Sequence, residues 1–175
     1  MSKKIEDYLS TVPDFPKPGV VFYDVTSVLT DPDGLELAVN EMQAQLQNLD
    51  FDVIVGLESR GFLFGMPLAY NMHKSFVMIR KQGKLPRETV SKKYDLEYGT
   101  AVIEVHKEDL KPGQRVVIVD DLLATGGTAK AAAKLVEDLG CQVVNMTFLI
   151  ELKGLNGRNQ LRKYDLFSVI ACEGE

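Results

Sequence analysis

Val116-Val117-Ile118-Val119-Asp120-Asp121-Leu122-Leu123-Ala124-Thr125-Gly126-Gly127-Thr128 is the stretch that decides the fold. With Arg115 before it, its apolar start reads as a strand with no polar face, as burial on both sides of a parallel sheet requires. The strand runs into two acids and then into small residues. Thr128 to Leu139 (TAKAAAKLVEDL) follows as a helix rich in Ala and Leu, stopped by Gly140. In open α/β sheets, ligands sit beyond the carboxyl ends of strands, so this turn is where a ligand is expected.

Working outward, Cys141 to Ile150 supplies a further strand and closes a βαβ unit. Upstream, Phe51 to Gly56 is a short apolar run, Glu58-Ser59-Arg60-Gly61 a polar turn, and residues 62–72 a helix whose Pro67 suits only its first turn. Ser75 to Arg80 then completes an earlier βαβ unit. Tyr98 to His106 alternates weakly, and Leu166 to Ala171 is a last strand. Leu35, Ala38, Val39, Met42 and Leu46 recur at helical spacing, which predicts a helix over 34–48. Residues 2–11 read as a short amphipathic helix carrying Ile5, Tyr8 and Leu9, followed by an irregular Pro/Gly segment through Gly19. Residues 81–97 are polar, contain Gly83 and Pro86 and keep no period, so they are expected to be a moving lid. The pattern is a single α/β domain over 1–175, a central, mostly parallel sheet flanked by helices.

The 175 residues carry a formal net charge of -5. A broad nucleic-acid surface is therefore not expected, because such binding draws on many Lys/Arg contacts to phosphate. Cys141 and Cys172 stand alone, in no CxxC or Cys/His cluster, and read as buried reduced thiols. Neither a signal peptide nor a stretch approaching ~18–20 apolar residues is seen, so a cytoplasmic protein without membrane partners is expected.

The chemistry lies in the turn after the first-quoted strand. Gly126 and Gly127 let the backbone approach a ligand, Thr125 and Thr128 add hydroxyls, and the free N–H groups of a helix start favour an anion. Two adjacent carboxylates beside a phosphate seat need another partner, either vicinal ribose hydroxyls or a hydrated Mg²⁺. A sugar phosphate satisfies both requirements. An acidic turn that merely caps a helix would account for either half alone. The stretch has neither the G-x-x-x-x-G-K-[ST] of a P-loop nor the G-x-G-x-x-G of a dinucleotide fold.

This stretch resembles the phosphoribosyl pyrophosphate signature of the type I phosphoribosyltransferases. DFPKPGVVFYDVTSVLTD (14–31), GLESRGFLFG (56–65), IRKQGKLP (79–86) and YDLEYG (94–99) resemble the adenine-specific branch of that family, in the same order, over about residues 12–160. The resemblance implies the type I fold, with a lid over about 81–98 and a small N-terminal hood. It places the 5′-phosphate on Ala124, Thr125, Gly126, Gly127 and Thr128, and the ribose hydroxyls on Asp120 and Asp121. Asp121 would also be the residue nearest Mg²⁺, through water or ribose oxygens. Ser59 and Arg60 would hold pyrophosphate beside a cis peptide at Glu58-Ser59. Arg80, Lys81 and Lys84 would reach it from a neighbouring subunit, which implies a homodimer.

The same resemblance gives Glu97 the purine base and Tyr98 the leaving group, and builds the base pocket from Val21, Phe22 and Leu152. Tyr23 stands where many members have arginine. His73 and His106, with no acidic or serine motif beside them, read as structural. The implied enzyme is a purine-salvage pentosyltransferase that takes adenine and phosphoribosyl pyrophosphate to AMP and pyrophosphate with Mg²⁺. Two alternatives stand beside it: the same transfer to hypoxanthine, guanine or xanthine, and a non-catalytic phosphoribosyl pyrophosphate sensor. The sensor should carry an added DNA-binding domain and a basic surface.

Overall fold

A computed structural model of the protein describes residues 2–96 and 98–174. Its strands are β1 (Ser10–Pro13), β2 (Val21–Asp24), β3 (Val53–Leu57), β4 (Ser75–Lys81), β5 (Thr89–Asp95), β6 (Thr100–His106), β7 (Arg115–Leu123), β8 (Gln142–Leu152) and β9 (Leu166–Cys172). Its α-helices are α1 (Val25–Leu29), α2 (Pro32–Leu46), α3 (Gly61–Met72), α4 (Gly127–Asp138) and α5 (Gly157–Gln160). Seven strands form one sheet in the order β5-β6-β4-β3-β7-β8-β9, and β1 pairs with β2 in a separate hairpin. The five strands β4, β3, β7, β8 and β9 run parallel, while β6 and β5 add an antiparallel edge.

Alternate residues of the central strands serve two cores. Val53, Val55 and Leu57 of β3 join Val116 and Ile118 of β7 in a cluster with Ala132 and Leu135 of α4. The intervening Ile54, Val117 and Val119 meet Ala38 and Met42 of α2 and Phe64 and Leu68 of α3 on the other face. Burial on both faces is what an unbroken apolar run needs, and the expected doubly covered sheet is present.

Four local expectations are corrected. Residues 2–11 do not form a helix: a single 3₁₀ turn at Ile5–Asp7 gives way to β1, which pairs antiparallel with β2. The apolar spacing still had meaning, since Ile5 is buried and Tyr8 and Leu9 pack on the same core. A stretch this short gains little as a helix, and sheet pairing of Ser10–Pro13 wins.

Pro67 lies in the middle of α3, beyond its first turn. Proline there costs the helix one hydrogen bond, that of the Leu63 carbonyl. The expected lid is not irregular throughout: Thr89–Asp95 is a strand paired along its whole length with β6. Val90, Lys92 and Tyr94 turn toward the core and Ser91, Lys93 and Asp95 toward solvent, a period of two disguised by a lysine on the inner side. Finally, Cys141 is buried but Cys172 only half-buried, and both are free.

Candidate active site

The parallel strands all point the same way, so the segments after β3, β4, β7 and β8 gather along one edge of the sheet. β7 carries Asp120 and Asp121 within its last four residues and ends at Leu123. The chain then makes the small-residue loop, and α4 starts at Gly127 with no side-chain cap on its first amides. Gly126 has φ +85°, and a Cβ there would lie 2.7 Å from the Gly157 carbonyl oxygen. A Cβ on Gly157 would run into the Ala124 carbonyl. The loop therefore rests on the start of α5, backbone against backbone. Buried Glu151 holds α5 in turn, accepting from Arg158 Nε at 2.7 Å and from the Ser168 hydroxyl at 2.9 Å. Above the loop is a cavity of about 90 Å³ lined by Asp120 and Leu122 through Ala129, together with Phe148.

Burial, and then the negative charge of Asp121, push the Asp120 carboxyl well above the usual range. Its Oδ1 accepts from the Asp121 N–H at 2.9 Å, and a Cβ on Gly61 at the start of α3 would sit 2.9 Å from the same oxygen. Buried Asp121 meets half-exposed Arg60, with Nε 2.6 Å from Oδ2. This is charge contact without hydrogen-bond alignment, because Oδ2 accepts no well-directed donor. Among the described residues, no group of three His, Cys, Asp or Glu side chains could hold a metal by itself.

After β3 the Glu58-Ser59 peptide is cis. The Glu58 side chain is buried and gathers the basic residues at and just past the end of β4: the Lys81 N–H at 2.6 Å, Lys84 Nζ at 2.6 Å and Arg80 Nη2 at 3.4 Å. Burial alone would raise its pKa, but these hydrogen bonds outweigh burial and hold it below the ordinary value. Arg80 Nε is buried without a partner among the described residues.

The antiparallel edge reaches the same place. The Tyr94 hydroxyl lies 3.2 Å from Thr128 Oγ1, and Lys92 Nζ lies 2.6 Å from Asp138 Oδ2 near the other end of α4. Asp95 and Leu96 line a cavity of about 330 Å³ with Thr125, Gly127, Thr128 and Gln160. Behind β5, buried His106 contacts Asp109 at 3.0 Å and accepts the Arg87 N–H on its other ring nitrogen at 3.2 Å.

A model of the phosphoribosyl transferase domain matches residues 26–173. The adenine phosphoribosyltransferase of Agathobacter rectalis is 65% identical over 173 residues, 99% of both chains, and that of Lachnoclostridium phytofermentans is 58% identical over the same share. Among solved structures, the adenine phosphoribosyltransferase of Thermoanaerobacter pseudethanolicus superposes with a TM-score of 0.92 at 50% identity, covering 96% of this chain and 98% of that one. The enzyme of Saccharomyces cerevisiae, solved with an imino-altritol bisphosphate and adenine, superposes with a TM-score of 0.90 at 38% identity over 95% and 96%. The chain belongs to the adenine phosphoribosyltransferase family.

Within an adenine phosphoribosyltransferase fold, the segments singled out in the sequence converge as the parallel topology requires. Ala124 through Thr128, Asp120, Asp121, Ser59 and Arg60 meet at the edge, while Arg80 and Lys84 are drawn onto Glu58 of their own chain. Lys81 has an exposed side chain, and Tyr98 is 85% exposed. Glu97 lies outside the described residues.

Of the residues expected to form the base pocket, half-buried Phe22 meets Phe15 edge to face, with ring centroids 5.2 Å apart, and Val21 is exposed. Tyr23 points the other way, its phenol against the Cys172 thiol, and Cys172 pairs with Leu152 at the end of β8. Burial first, and then Cys172, raise the Tyr23 pKa. The hood thereby brings Phe22 and Leu152 to one end of the sheet. His73 is the exposed C-cap of α3, with φ +55°, and His106 lies behind the sheet's edge strand.

Three features were not foreseen. Glu58 is a hub as well as a turn residue, Gly157 supports the small-residue loop, and Tyr94 touches Thr128. The clue to Glu58 is register: Leu57 pairs with Ile79, so residues just past the two strand ends must adjoin.

Proposed function

We propose that the protein is a purine-salvage pentosyltransferase that joins adenine to the ribose 5-phosphate of phosphoribosyl pyrophosphate, giving AMP and pyrophosphate. The observation that carries this is the phosphate loop with its paired acids, set in a chain matched end to end by adenine phosphoribosyltransferases.

The 5′-phosphate sits on the amides and hydroxyls of Ala124–Thr128, where a helix start supplies donors and positive potential. Asp120 and Asp121 take the ribose hydroxyls. In displacement at the anomeric carbon, pyrophosphate leaves as adenine N9 attacks the opposite face, and negative charge grows on the leaving oxygens. Arg60 is placed to receive that charge from the same edge, exchanging its contact with Asp121 for pyrophosphate. Losing one such preorganised donor costs ~2.7–4 kcal/mol of barrier. Glu97 is assigned the purine ring, holding N–H groups and moving a proton as N9 becomes nucleophilic, and Tyr98 the leaving group. Phe22 stacks on the base, with Val21 and Leu152 beside it. The hairpin that carries Glu97 excludes water from the activated sugar.

Mg²⁺ fits this donor set as a substrate-borne ion. Asp121 Oδ2 is buried and lacks a directed donor, while a third carboxylate for a protein cage is missing among the described residues. Such an ion is held by one or two carboxylates plus substrate oxygens, and when bound it neutralises charge developing on pyrophosphate.

A homodimer is favoured by the apolar face of α3 and β4, where Leu63, Met66, Tyr70 and Met78 are 43%, 53%, 79% and 39% exposed. Arg80, Lys81 and Lys84 follow this face and are assigned to the pyrophosphate of the second copy's site. The protein is assigned to the cytoplasm; no helix among the described residues is long and apolar enough to cross a membrane.

The test is formation of nucleotide from adenine, hypoxanthine, guanine and xanthine, each supplied with phosphoribosyl pyrophosphate and Mg²⁺. AMP from adenine alone is expected, and no nucleotide from adenine would overturn the assignment. Glu97→Ala should reduce turnover with adenine by about 10²–10⁴.

A further inference from the structure

The Thr128 hydroxyl has one proton to give and lone pairs to fill. A 5′-phosphate dianion offers only acceptors, so Thr128 can serve it only by donating that proton. The hydroxyl oxygen then needs a donor of its own. Tyr94 is that donor: its hydroxyl is 3.2 Å from Thr128 Oγ1, and the pair is partly shielded from solvent. The Tyr94 ring packs on the core beneath α4, so the phenol cannot swing freely. No other partner contacts the Tyr94 hydroxyl among the described residues.

We propose that Tyr94 is a positioning residue that fixes the direction of the Thr128 hydroxyl and thereby couples occupancy of the 5′-phosphate seat to the lid strand. The proposal rests on the phosphoribosyl function assigned above. In the filled site the relay runs Tyr94 O–H to Thr128 Oγ1, and Thr128 O–H to phosphate, each bond polarising the next. In the empty site either oxygen can donate. Phosphate thus selects the arrangement in which Tyr94 gives, and β5 is pulled onto the start of α4. Lys92 fastens the strand further along, on Asp138. The two residues after Tyr94, Asp95 and Leu96, line the cavity shared with Thr125 and Thr128 and lead directly to Glu97. Phosphate binding at one end of the substrate therefore steadies the segment that carries the base-binding carboxylate.

The experiment is calorimetric titration of wild type, Tyr94→Phe, Thr128→Val and the double variant with AMP and with adenosine. A neutral hydrogen bond predicts a loss of AMP affinity of about three- to tenfold in Tyr94→Phe, with adenosine affinity unchanged. Thr128→Val should lose at least as much, and adding Tyr94→Phe to it should cost nothing further. Independent losses that multiply in the double variant, or equal losses for AMP and adenosine, would overturn the relay. If Tyr94→Phe does not fold, hydrogen exchange on the wild type decides: AMP but not adenosine should protect the amides of 90–95, and equal protection by both overturns the proposal. A wild type that binds adenosine but no AMP would instead overturn the functional assignment, and the relay with it.

Discussion

Gly126→Ala separates two demands on the phosphate loop. Alanine at φ +85° costs about 1–2 kcal/mol in the left-handed region. The new Cβ would also stand 2.7 Å from the Gly157 carbonyl oxygen, a backbone atom of a helix anchored through Arg158, so the loop itself has to move. Overpacking of that kind costs about 1–3 kcal/mol. Together the two terms give about 2–5 kcal/mol, divided between stability and ligand affinity. Gly113 is the matched control: it has φ +89° in the turn before β7, and nothing lies within 4 Å of a Cβ. Gly113→Ala should lose only the conformational term, with AMP affinity intact. Urea unfolding and AMP titration on both variants measure the two shares. If Gly126→Ala matched Gly113→Ala in both, the claim that Gly157 supports the loop would be wrong.

Glu58→Gln should destabilise the protein by about 2 kcal/mol at pH 7, because three donors lose a charged acceptor; half-exposed Lys84 contributes the smaller part. For a chain of this size that is a fall of about 4–8 °C in Tm. The folded-state pKa of Glu58 is depressed, so its contribution is present above the unfolded value of about 4.3 and is lost as pH falls through the folded one. The gap between wild type and Glu58→Gln should therefore narrow on acidification below about pH 4, and a gap constant with pH refutes the charge argument. Gly61→Ala should raise the KM for phosphoribosyl pyrophosphate in steady-state assays, since its Cβ meets the Val119 carbonyl oxygen at 2.8 Å and Asp120 Oδ1 at 2.9 Å. Unchanged KM would place Asp120 outside the binding site. Met66→Glu, on the exposed face of α3, should shift the protein toward monomer in sedimentation velocity and lower turnover with it. A variant with the wild-type sedimentation coefficient would move the interface elsewhere.

What the sequence disclosed follows the range of the interactions involved. Val116–Val119 was legible because an apolar run buried on both faces has few other uses, and Ala124–Thr128 because strand, small-residue turn and helix are contiguous. β5 was missed because Lys92 occupies an inward position, its stem packing while its ammonium reaches Asp138. Local pattern cannot show a side chain that is apolar along its length and charged at its tip. Glu58 with Lys84, and Gly126 with Gly157, are juxtaposed by sheet register and by the return of the chain after β8, and no local period encodes either pair.

On the proposed function, the phosphate seat also reconciles an anionic substrate with a chain of net charge -5. The loop contributes amides, hydroxyls and a helix start rather than lysines, and two glycines bring that backbone close. Three cations stand at the same sheet edge, each on an acid: Arg60 is held by Asp121, and Arg80 and Lys84 by Glu58. These acids keep the cations placed on a sheet edge that would otherwise repel itself, and they leave each cation with donors to offer. Arg60 exposes nearly half of its side chain while Asp121 is buried, so the guanidinium can turn to pyrophosphate without Asp121 moving. On the proposed function, Asp121 is therefore the counter-ion of Arg60 in the empty site and a ligand of the ribose hydroxyls in the filled one.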